Sequence, residues 1–195
     1  MMKKELREWL IAIITAVIIY FIVNTFLFTQ YVVSGESMSP TFHNGDRLIV
    51  SKIANSMDKI QRGDVVIFHA DEEKDYIKRL IGVPGDAVEY RNDQLLINGK
   101  EVAEPYLDEN KKHKRNEFLT ENISVKELVH ANGESKIPAG YYMVLGDNRD
   151  NSSDSRYELG LVKKSQVVGE AVVRIFPFDR MHYDFYPDSF NVVNK

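Results

Sequence analysis

The feature that most constrains this chain is an apolar run close to its N-terminus. Residues Leu10–Phe28 read LIAIITAVIIYFIVNTFLF and contain no charged side chain. Their length of about 19 residues matches what a helix needs to cross the hydrocarbon core of a membrane. The run is longer than the apolar part of a typical cleaved signal peptide, no small-x-small site follows it, and it is apolar on every face. The sequence therefore predicts an uncleaved membrane anchor.

The charges in front of this run predict its orientation. Lys3, Lys4 and Arg7 precede it, and basic residues beside a membrane span favour the cytoplasmic side. We therefore expect a single-pass protein of the cell membrane, with the lipid bilayer as one partner. Residues 1–29 would form the cytoplasmic N-terminus and the anchor, and residues 30–195 a domain outside the cytoplasm.

The composition of the 195-residue chain excludes several kinds of chemistry. There is no cysteine, and therefore no disulfide, thiolate ligand or cysteine nucleophile. The net charge of −4 argues against nucleic acid as a partner. The acidic loop Gly146–Arg156 lacks the glycine and the bidentate glutamate of a calcium loop. No zinc-binding spacing links the scattered histidines His43, His69, His113, His130 and His182. We therefore expect neither a metal ion nor a cofactor.

Beyond the apolar run, the chain has the pattern of a mainly β domain. Short segments rich in β-branched residues alternate with Gly, Pro, Asn and Asp, as strands and turns do. Asn98-Gly99 predicts a tight hairpin, and Pro84-Gly85 predicts a type II turn. The predicted strands are Asp46–Lys52, Asp64–Ala70, Tyr76–Val83, Asp86–Tyr90, Gln94–Gly99, Tyr141–Leu145 and Val167–Phe176.

One long segment does not fit the strand pattern. Residues Glu104–Lys136 are charged and weakly periodic, and we expect them to form a surface insertion with a short helix near Val125–His130.

Lys78 lies in a setting that could make it a base. Strand alternation places it on one face with Tyr76 and Leu80. An amine between such neighbours loses hydration, which lowers its pKa and makes the neutral form available. The alternative is a lysine at a sheet edge whose ammonium group reaches the solvent, and the residues alone favour this alternative.

Five motifs, in this order after one N-terminal anchor, resemble those of type I signal peptidases, and the short soluble part is similar to the Gram-positive-type members. The motifs are SGESMSPTF from Ser34, GDRLIVSK from Gly45, RGDVVIFHA from Arg62, YIKRLIGVPGD from Tyr76 and GDNRDNSSDSR from Gly146. The resemblance covers nearly the whole chain. It implies an antiparallel β-sheet domain folded as a partial barrel on one transmembrane helix, and it favours the catalytic interpretation of Lys78.

The resemblance also implies a role for individual residues. Ser37 would be the nucleophile, with its backbone N–H as an oxyanion donor, and Lys78 the general base of a Ser/Lys dyad. Ser152 would orient the lysine amine, and Asp154 and Arg156 would support the site. Asp147, Asn148 and Arg149 match the same motif, but no individual role follows for them.

One position departs from part of that family. Some members carry a serine two residues before the nucleophile, where its hydroxyl assists the oxyanion hole. Here that position is Gly35, and Ser34 is one residue too far away.

The implied substrates are secreted preproteins, cleaved after a small-x-small sequence through an acyl-enzyme. The substrate would lie extended along a sheet edge, with alternate side chains in shallow pockets. The residues whose position suggests pocket lining are Tyr31, Val33, Met38, Tyr76 and Ile77, and ordinary core packing is the alternative for each of them.

Two other functions remain open at this stage. One is a catalytically inactive, membrane-tethered binding module derived from a peptidase. The other is a self-cleaving Ser/Lys regulator, against which the anchor and the absence of a DNA-binding segment before Ser37 both argue.

Overall fold

The computed structural model of the chain describes residues 2–22, 27–53 and 59–194. Helix α1 (Met2–Ile22) contains the first part of the predicted apolar run. Residues 23–26 of that run lie outside the described residues, and a strand already begins at Phe28. Within the described ranges, no helix is both long enough and apolar enough to cross a membrane.

The rest of the chain consists mainly of short strands. They follow the predicted segments closely, and the two strands at Tyr141–Leu145 and Val167–Phe176 have the predicted bounds. The strands are β1 (Phe28–Val32), β2 (Arg47–Ser51), β3 (Val65–His69), β4 (Asp75–Gly82), β5 (Val88–Arg91), β6 (Gln94–Ile97), β7 (Lys100–Val102), β8 (Ile123–Ser124), β9 (Tyr141–Leu145), β10 (Val162–Lys163), β11 (Val167–Phe176) and β12 (His182–Tyr183), and one short helix, α2 (Asp108–Lys112), lies between β7 and β8.

The strands form a large and a small antiparallel sheet. The large sheet has the order β1-β2-β11-β3-β4-β9-β10, with β12 paired to β11. Its β1 lies at one edge, and β4 lies three strands further along the sheet from β2. The small sheet has the order β7-β6-β5-β8. The prediction of a mainly β, antiparallel architecture is confirmed.

Both predicted turns are present. Asn98 and Gly99 join β6 to β7 with φ of 53° and 78°, the positive values that a type I′ hairpin needs. At Pro84-Gly85 the backbone N–H of Asp86 donates to the carbonyl of Val83 at 3.1 Å, and Gly85 has φ of 89°. Glycine adopts this conformation without strain.

The buried side chains form three apolar clusters. One joins the inner face of the small sheet to β4 and β9, and includes Ile81, Val88, Leu95 and Met143. The second lies under β2 and β3 and includes Val33, Met38, Phe42, Leu48 and Ile67. The third lies on the other side of β3 and β4 and includes Val66, Phe68 and Leu80.

The structure corrects the prediction of a surface insertion over Glu104–Lys136. Most of its charged residues are exposed, but Glu104 is buried, and so are five apolar residues of the segment: Leu107, Leu119, Val125, Leu128 and Ala131. Val125, Leu128 and Ala131 belong to the apolar cluster of the small sheet. A small sheet cannot cover its own apolar face, so this segment covers it. Instead of a helix reaching His130, there is one 3₁₀ turn at Val125–Glu127, capped by Ser124.

Candidate active site

Ser37 lies in the loop between β1 and β2. The loop closes on itself because the backbone N–H of Val33 donates to Asp46 O at 2.8 Å, and because the backbone N–H of Gly35 donates to Asn44 Oδ1 at 3.0 Å. Gly35 has φ of 88°, a left-handed conformation that costs a residue with a side chain about 1 kcal/mol or more. The glycine at the position that departs from part of the resembled family therefore matches the local backbone.

The side chain of Lys78, in β4, contacts Ser37. Its Nζ lies 2.8 Å from Ser37 Oγ and 3.0 Å from the carbonyl oxygen of Ile77. Nζ also lies 5.1 Å from the centre of the Tyr76 ring, as expected for residues on one strand face. Lys78 is only 3% exposed, so the interpretation of a lysine whose ammonium group reaches the solvent is wrong.

The environment of Lys78 lowers the pKa of its amine from 10.5 to about 8. Burial is the main cause, since it disfavours the ammonium form. The carboxylates of Asp154 and Asp147 act in the opposite direction and raise the pKa. Burial outweighs them, so a useful fraction of the amine is neutral near neutral pH.

The main chain around Ser37 is held from its carbonyl side by Asn148. The backbone N–H of Asn148 donates to Ser37 O at 3.0 Å, and its side-chain amide donates to Glu36 O at 3.0 Å. The backbone N–H of Ser37 makes no hydrogen bond to another described residue. That N–H is therefore free to donate to a bound group, and Asn148 has a clear structural role that the motif alone did not reveal.

Asp154 and Arg156 organise the second loop of the site. Asp154 accepts a hydrogen bond from the backbone N–H of Gly146 at 3.0 Å and two from Arg156, at 2.8 Å and 2.9 Å. Burial is the largest single effect and raises the pKa of the Asp154 carboxyl, but the hydrogen bonds and the charge of Arg156, together with the hydrogen bond from the Gly146 N–H, outweigh it and hold the pKa below its usual value. Asp154 therefore stays ionised and fixes the loop from Gly146 onward.

Ser152 lies beside the main chain of Ser37. A Cβ added at Gly146 would lie 2.2 Å from Ser152 Oγ and 2.5 Å from Ser37 O. Glycine at position 146 is thus what lets these two groups approach each other. The hydroxyl oxygen of Ser152 is buried, and no hydrogen bond joins it to Lys78.

Two buried arginines, to which the sequence assigned no role, tie the site to the rest of the domain. Arg79 donates two hydrogen bonds to Asp147, at 2.9 Å and 2.7 Å. Arg149 donates to Glu104 at 2.7 Å and to Gly146 O at 2.9 Å. These ion pairs connect β4, the Gly146–Arg156 loop and the segment Glu104–Lys136.

The same segment also contacts the loop of Ser37 directly. The side-chain amide of Asn110, in α2, donates to Ser39 O at 2.8 Å and to Asp147 O at 2.9 Å. Asn110 therefore bridges the loop of Ser37 and the loop of Asp147. No motif in the sequence marks it, because its partners lie far away along the chain.

An apolar cavity of about 230 Å³ opens beside the two reactive groups. Leu48 and Ile67 contribute to its lining together with residues of β1 and β4. Of the residues expected in a pocket, four line it: Tyr31, Val33, Tyr76 and Ile77. Met38 lies instead in the apolar cluster behind it, 1% exposed. Asp75 and Ser153 also line the cavity, and the sequence had not indicated either of them.

The described residues contain no group of three or more His, Asp or Glu side chains placed to bind a metal ion. The reactive groups that border the cavity are a hydroxyl group and a buried amine, with the N–H of Ser37 as a backbone donor. This set suits nucleophilic attack on a carbonyl group.

Comparisons with known proteins give a consistent result. The model of a family described as signal peptidase, peptidase S26, matches residues 6–176. Signal peptidase IB of Staphylococcus aureus (strain MRSA252) is 49% identical over 189 residues, which cover 96% of this chain and 98% of that relative. Signal peptidase I of Bacillus licheniformis is 46% identical over 180 residues, which cover 92% of this chain and 93% of that relative.

A solved structure agrees with these relatives. The crystal structure of a signal peptidase I from Enterococcus faecalis V583 matches with a TM-score of 0.54 and 41% sequence identity, covering 58% of this chain and 97% of that chain.

The close approach at Gly146 leads to a prediction. We expect Gly146→Ala to lower the free energy of unfolding by about 1–3 kcal/mol, because the added methyl group must displace Ser152 or the main chain of Ser37. Acylation of Ser37 by an activated ester, followed by mass spectrometry, should slow at least tenfold. Gly133→Asn is the control, since Gly133 has open space and a φ of 77° that asparagine tolerates. Unchanged acylation in Gly146→Ala would contradict the prediction.

Proposed function

Because the chain belongs to the peptidase S26 family of signal peptidases, we propose that Ser37 and Lys78 form the dyad with which it removes signal peptides. The chain is a serine hydrolase that processes preproteins, and this excludes the inactive binding module and the self-cleaving regulator as its main function. The observation that carries the assignment of the dyad is the 2.8 Å contact between Lys78 Nζ and Ser37 Oγ at a buried position.

In this mechanism, neutral Lys78 takes the proton of Ser37 as the hydroxyl attacks the carbonyl at the end of the signal peptide. The protonated amine then gives this proton to the leaving amino group of the mature protein, which departs. The signal peptide remains as an ester on Ser37. Lys78, neutral again, removes a proton from a water molecule. The water attacks the ester carbonyl, and the signal peptide leaves with a free carboxylate while Ser37 regains its proton.

The backbone N–H of Ser37 supports the developing negative charge in this proposal. It makes no hydrogen bond to a described residue, while the carbonyl of the same residue is held by Asn148. A donor fixed before the reaction stabilises the oxyanion without reorganisation. Asp154 and Arg156 act further out, by holding the loop that contains Ser152 and packs against Ser37. We assign to Ser152 the orientation of the amine once substrate is bound.

The substrate would enter as an extended segment between β1 and β4. Val33 turns its N–H and C=O toward β2, and because these groups alternate along a strand, Gln30 and Val32 turn theirs to the open edge of β1. β9 pairs with β4 only from Arg79 onward. The backbone groups of Lys74 and Leu80 form hydrogen bonds on the β3 side. Because the direction of these groups alternates along a strand, Asp75 and Ile77 turn theirs to an open edge as well.

The cavity between these edges favours small side chains. In an extended substrate, the residues one and three positions before the cleaved bond point to the same side. Both would meet the apolar lining at Val33, Leu48, Ile67 and Ile77. A cavity of about 230 Å³ that also holds backbone leaves room for Ala-like residues at these two positions, which is the basis for proposing cleavage after small-x-small sites.

We also propose that the N-terminal apolar segment attaches the chain to the cell membrane, with the N-terminus in the cytoplasm and the domain from residue 30 outside. The support is the uncharged run Leu10–Phe28 and the basic residues before it. This attachment would keep Ser37, which follows β1 closely, near the outer membrane surface. Cleavage sites of preproteins emerge there.

The assignment of the dyad predicts the behaviour of two variants of the full chain. We expect Ser37→Ala and Lys78→Met each to reduce preprotein processing at least a thousandfold, measured by gel with purified enzyme in detergent. Thermal unfolding at pH 7 should show Lys78→Met to be as stable as the native chain or more stable. Lowering the pKa from 10.5 to about 8 costs the folded state about 3 kcal/mol below pH 8, and methionine removes this cost. Lys74→Met, at an exposed site, should process normally. Full processing by Ser37→Ala would refute the assignment.

The buried amine also predicts the pH dependence. Because Lys78 is active when neutral, kcat/KM for a peptide substrate should rise about tenfold per pH unit below pH 8 and level off above about pH 9, given its pKa of about 8. A lysine with its ordinary pKa would show the rise extending to about pH 10. The measurement is a pH profile of kcat/KM between pH 6 and 10 at constant ionic strength. A flat profile below pH 8 would exclude Lys78 as the base.

The proposed topology is open to a direct test, since the chain has no native cysteine. In intact cells, a membrane-impermeant maleimide should label Lys126→Cys, at an exposed position of the outer domain. It should leave Lys3→Cys unlabelled until the membrane is permeabilised. The protein should also remain in the pellet after extraction with alkaline carbonate. Labelling of Lys3→Cys in intact cells would reverse the orientation, and release by carbonate would rule out a spanning anchor.

A further inference from the structure

A second side-chain hydrogen bond spans the cleft between β1 and β4. Tyr31 Oη, on β1, donates to Asp75 Oδ2, at the first residue of β4, over 2.8 Å. In the large sheet these strands are separated by β2, β11 and β3, so direct pairing of their backbones is not involved. The contact therefore exists because the sheet curls and brings the two strands face to face.

This bond and the dyad contact cross the same cavity at different points. Asp75 and Lys78 both belong to β4, and Tyr31 and Ser37 both belong to the segment that includes β1 and continues into the loop after it. All four residues line the cavity. The two strand edges proposed to bind substrate are thus linked once at the reacting atoms and once further along the cleft.

The Asp75 carboxylate is held in place from its other side. A ring nitrogen of His69, its partner across the β3–β4 ladder, lies 2.6 Å from Asp75 Oδ1. Tyr31 is a dependable donor to this carboxylate, because burial and the hydrogen bond to Asp75 raise the pKa of its phenol to about 12. The phenol therefore keeps its proton over the whole range in which Lys78 titrates.

We propose that the Tyr31–Asp75 hydrogen bond is a clamp that keeps β1 and β4 from separating by more than the width of one inserted strand and so positions the signal peptide for cleavage. A strand placed between two others separates them by about 9.5 Å, twice the usual spacing. A long tyrosine and a short aspartate meeting tip to tip can bridge such a gap. The clamp rests on the proposed binding of substrate between these edges, and it makes Tyr31 and Asp75 positioning residues, since neither touches the reacting atoms.

The clamp is tested by binding in the full-length Ser37→Ala chain, where no cleavage follows. The probe is a fluorescent peptide that spans an Ala-x-Ala cleavage site, and its Kd is measured by anisotropy in detergent. We expect Tyr31→Phe to raise Kd about fivefold and Asp75→Ala five- to tenfold. The double variant should bind no more weakly than Asp75→Ala alone, because both changes remove one interaction. Asp75→Asn, which keeps an acceptor, should stay within threefold of the parent.

Steady-state kinetics distinguishes a loss of substrate positioning from a general loss of structure. In the active chain, Tyr31→Phe should raise KM about fivefold and leave kcat within twofold, because the dyad is untouched. Glu72→Gln, an exposed charge change beside the same strand, is the control and should alter neither constant. Melting temperatures within a few degrees of the parent would show that the variants fold.

Each outcome decides the question. Additive effects of Tyr31→Phe and Asp75→Ala, an unchanged Kd in either variant, or a loss confined to kcat would overturn the clamp. These outcomes would leave the dyad assignment intact. Failure of that assignment would appear separately, as processing by the Ser37→Ala chain.

Discussion

The site depends on keeping the amine of Lys78 desolvated although two carboxylates lie nearby. Burial lowers the pKa of Lys78, and Asp154 and Asp147 raise it again. Each of these carboxylates is held by two hydrogen bonds from an arginine, Arg156 or Arg79. Such pairing leaves little net negative charge to stabilise an ammonium group. In this structure the aspartates fix the loops, and the arginines limit the effect of the aspartates on the pKa of Lys78.

This balance explains why the arginines are buried although burial of charge is costly. A buried ion pair often adds little stability compared with apolar side chains of the same shape. Here the pairs have a second effect, because Arg79 follows Lys78 directly in β4 and anchors that strand to Asp147. Arg149 anchors the next part of the same loop to Glu104. The position of Lys78 relative to Ser37 therefore follows from strand pairing together with these two ionic contacts.

Much of the fold could be predicted from the sequence, and the resemblance to a family also predicted that Ser37 and Lys78 would meet. Strands such as β9 and β11 are short β-branched runs bounded by turn residues, so local pattern and final structure coincide. The alternation that places Lys78 with Tyr76 also holds, because a strand repeats every two residues. The apolar run was less informative: strand β1 begins at Phe28, where hydrophobicity alone predicts that the helix continues. An apolar residue suits a membrane helix and a sheet equally well.

The residues that sequence reasoning missed are those whose role depends on distant partners. Asn110 acts on Ser39 and Asp147 through an amide that no motif distinguishes from a surface asparagine. Met38, next to Ser37, enters the core because the loop turns inward there. Val125 and Leu128 are buried because the small sheet needs a cover. The irregular spacing of apolar residues in that segment does not reveal this role.

The clamp also bears on a general difficulty of open sheets. An unpaired strand edge can pair with any extended chain, including another copy of the same protein. In this domain the open edges of β1 and of the first half of β4 face one cleft, and the proposed clamp limits its width. A single extended segment fits between them, whereas a sheet edge of a second folded domain brings neighbouring strands that the cleft walls would exclude. The geometry that selects a signal peptide would thus also protect the domain from pairing with itself.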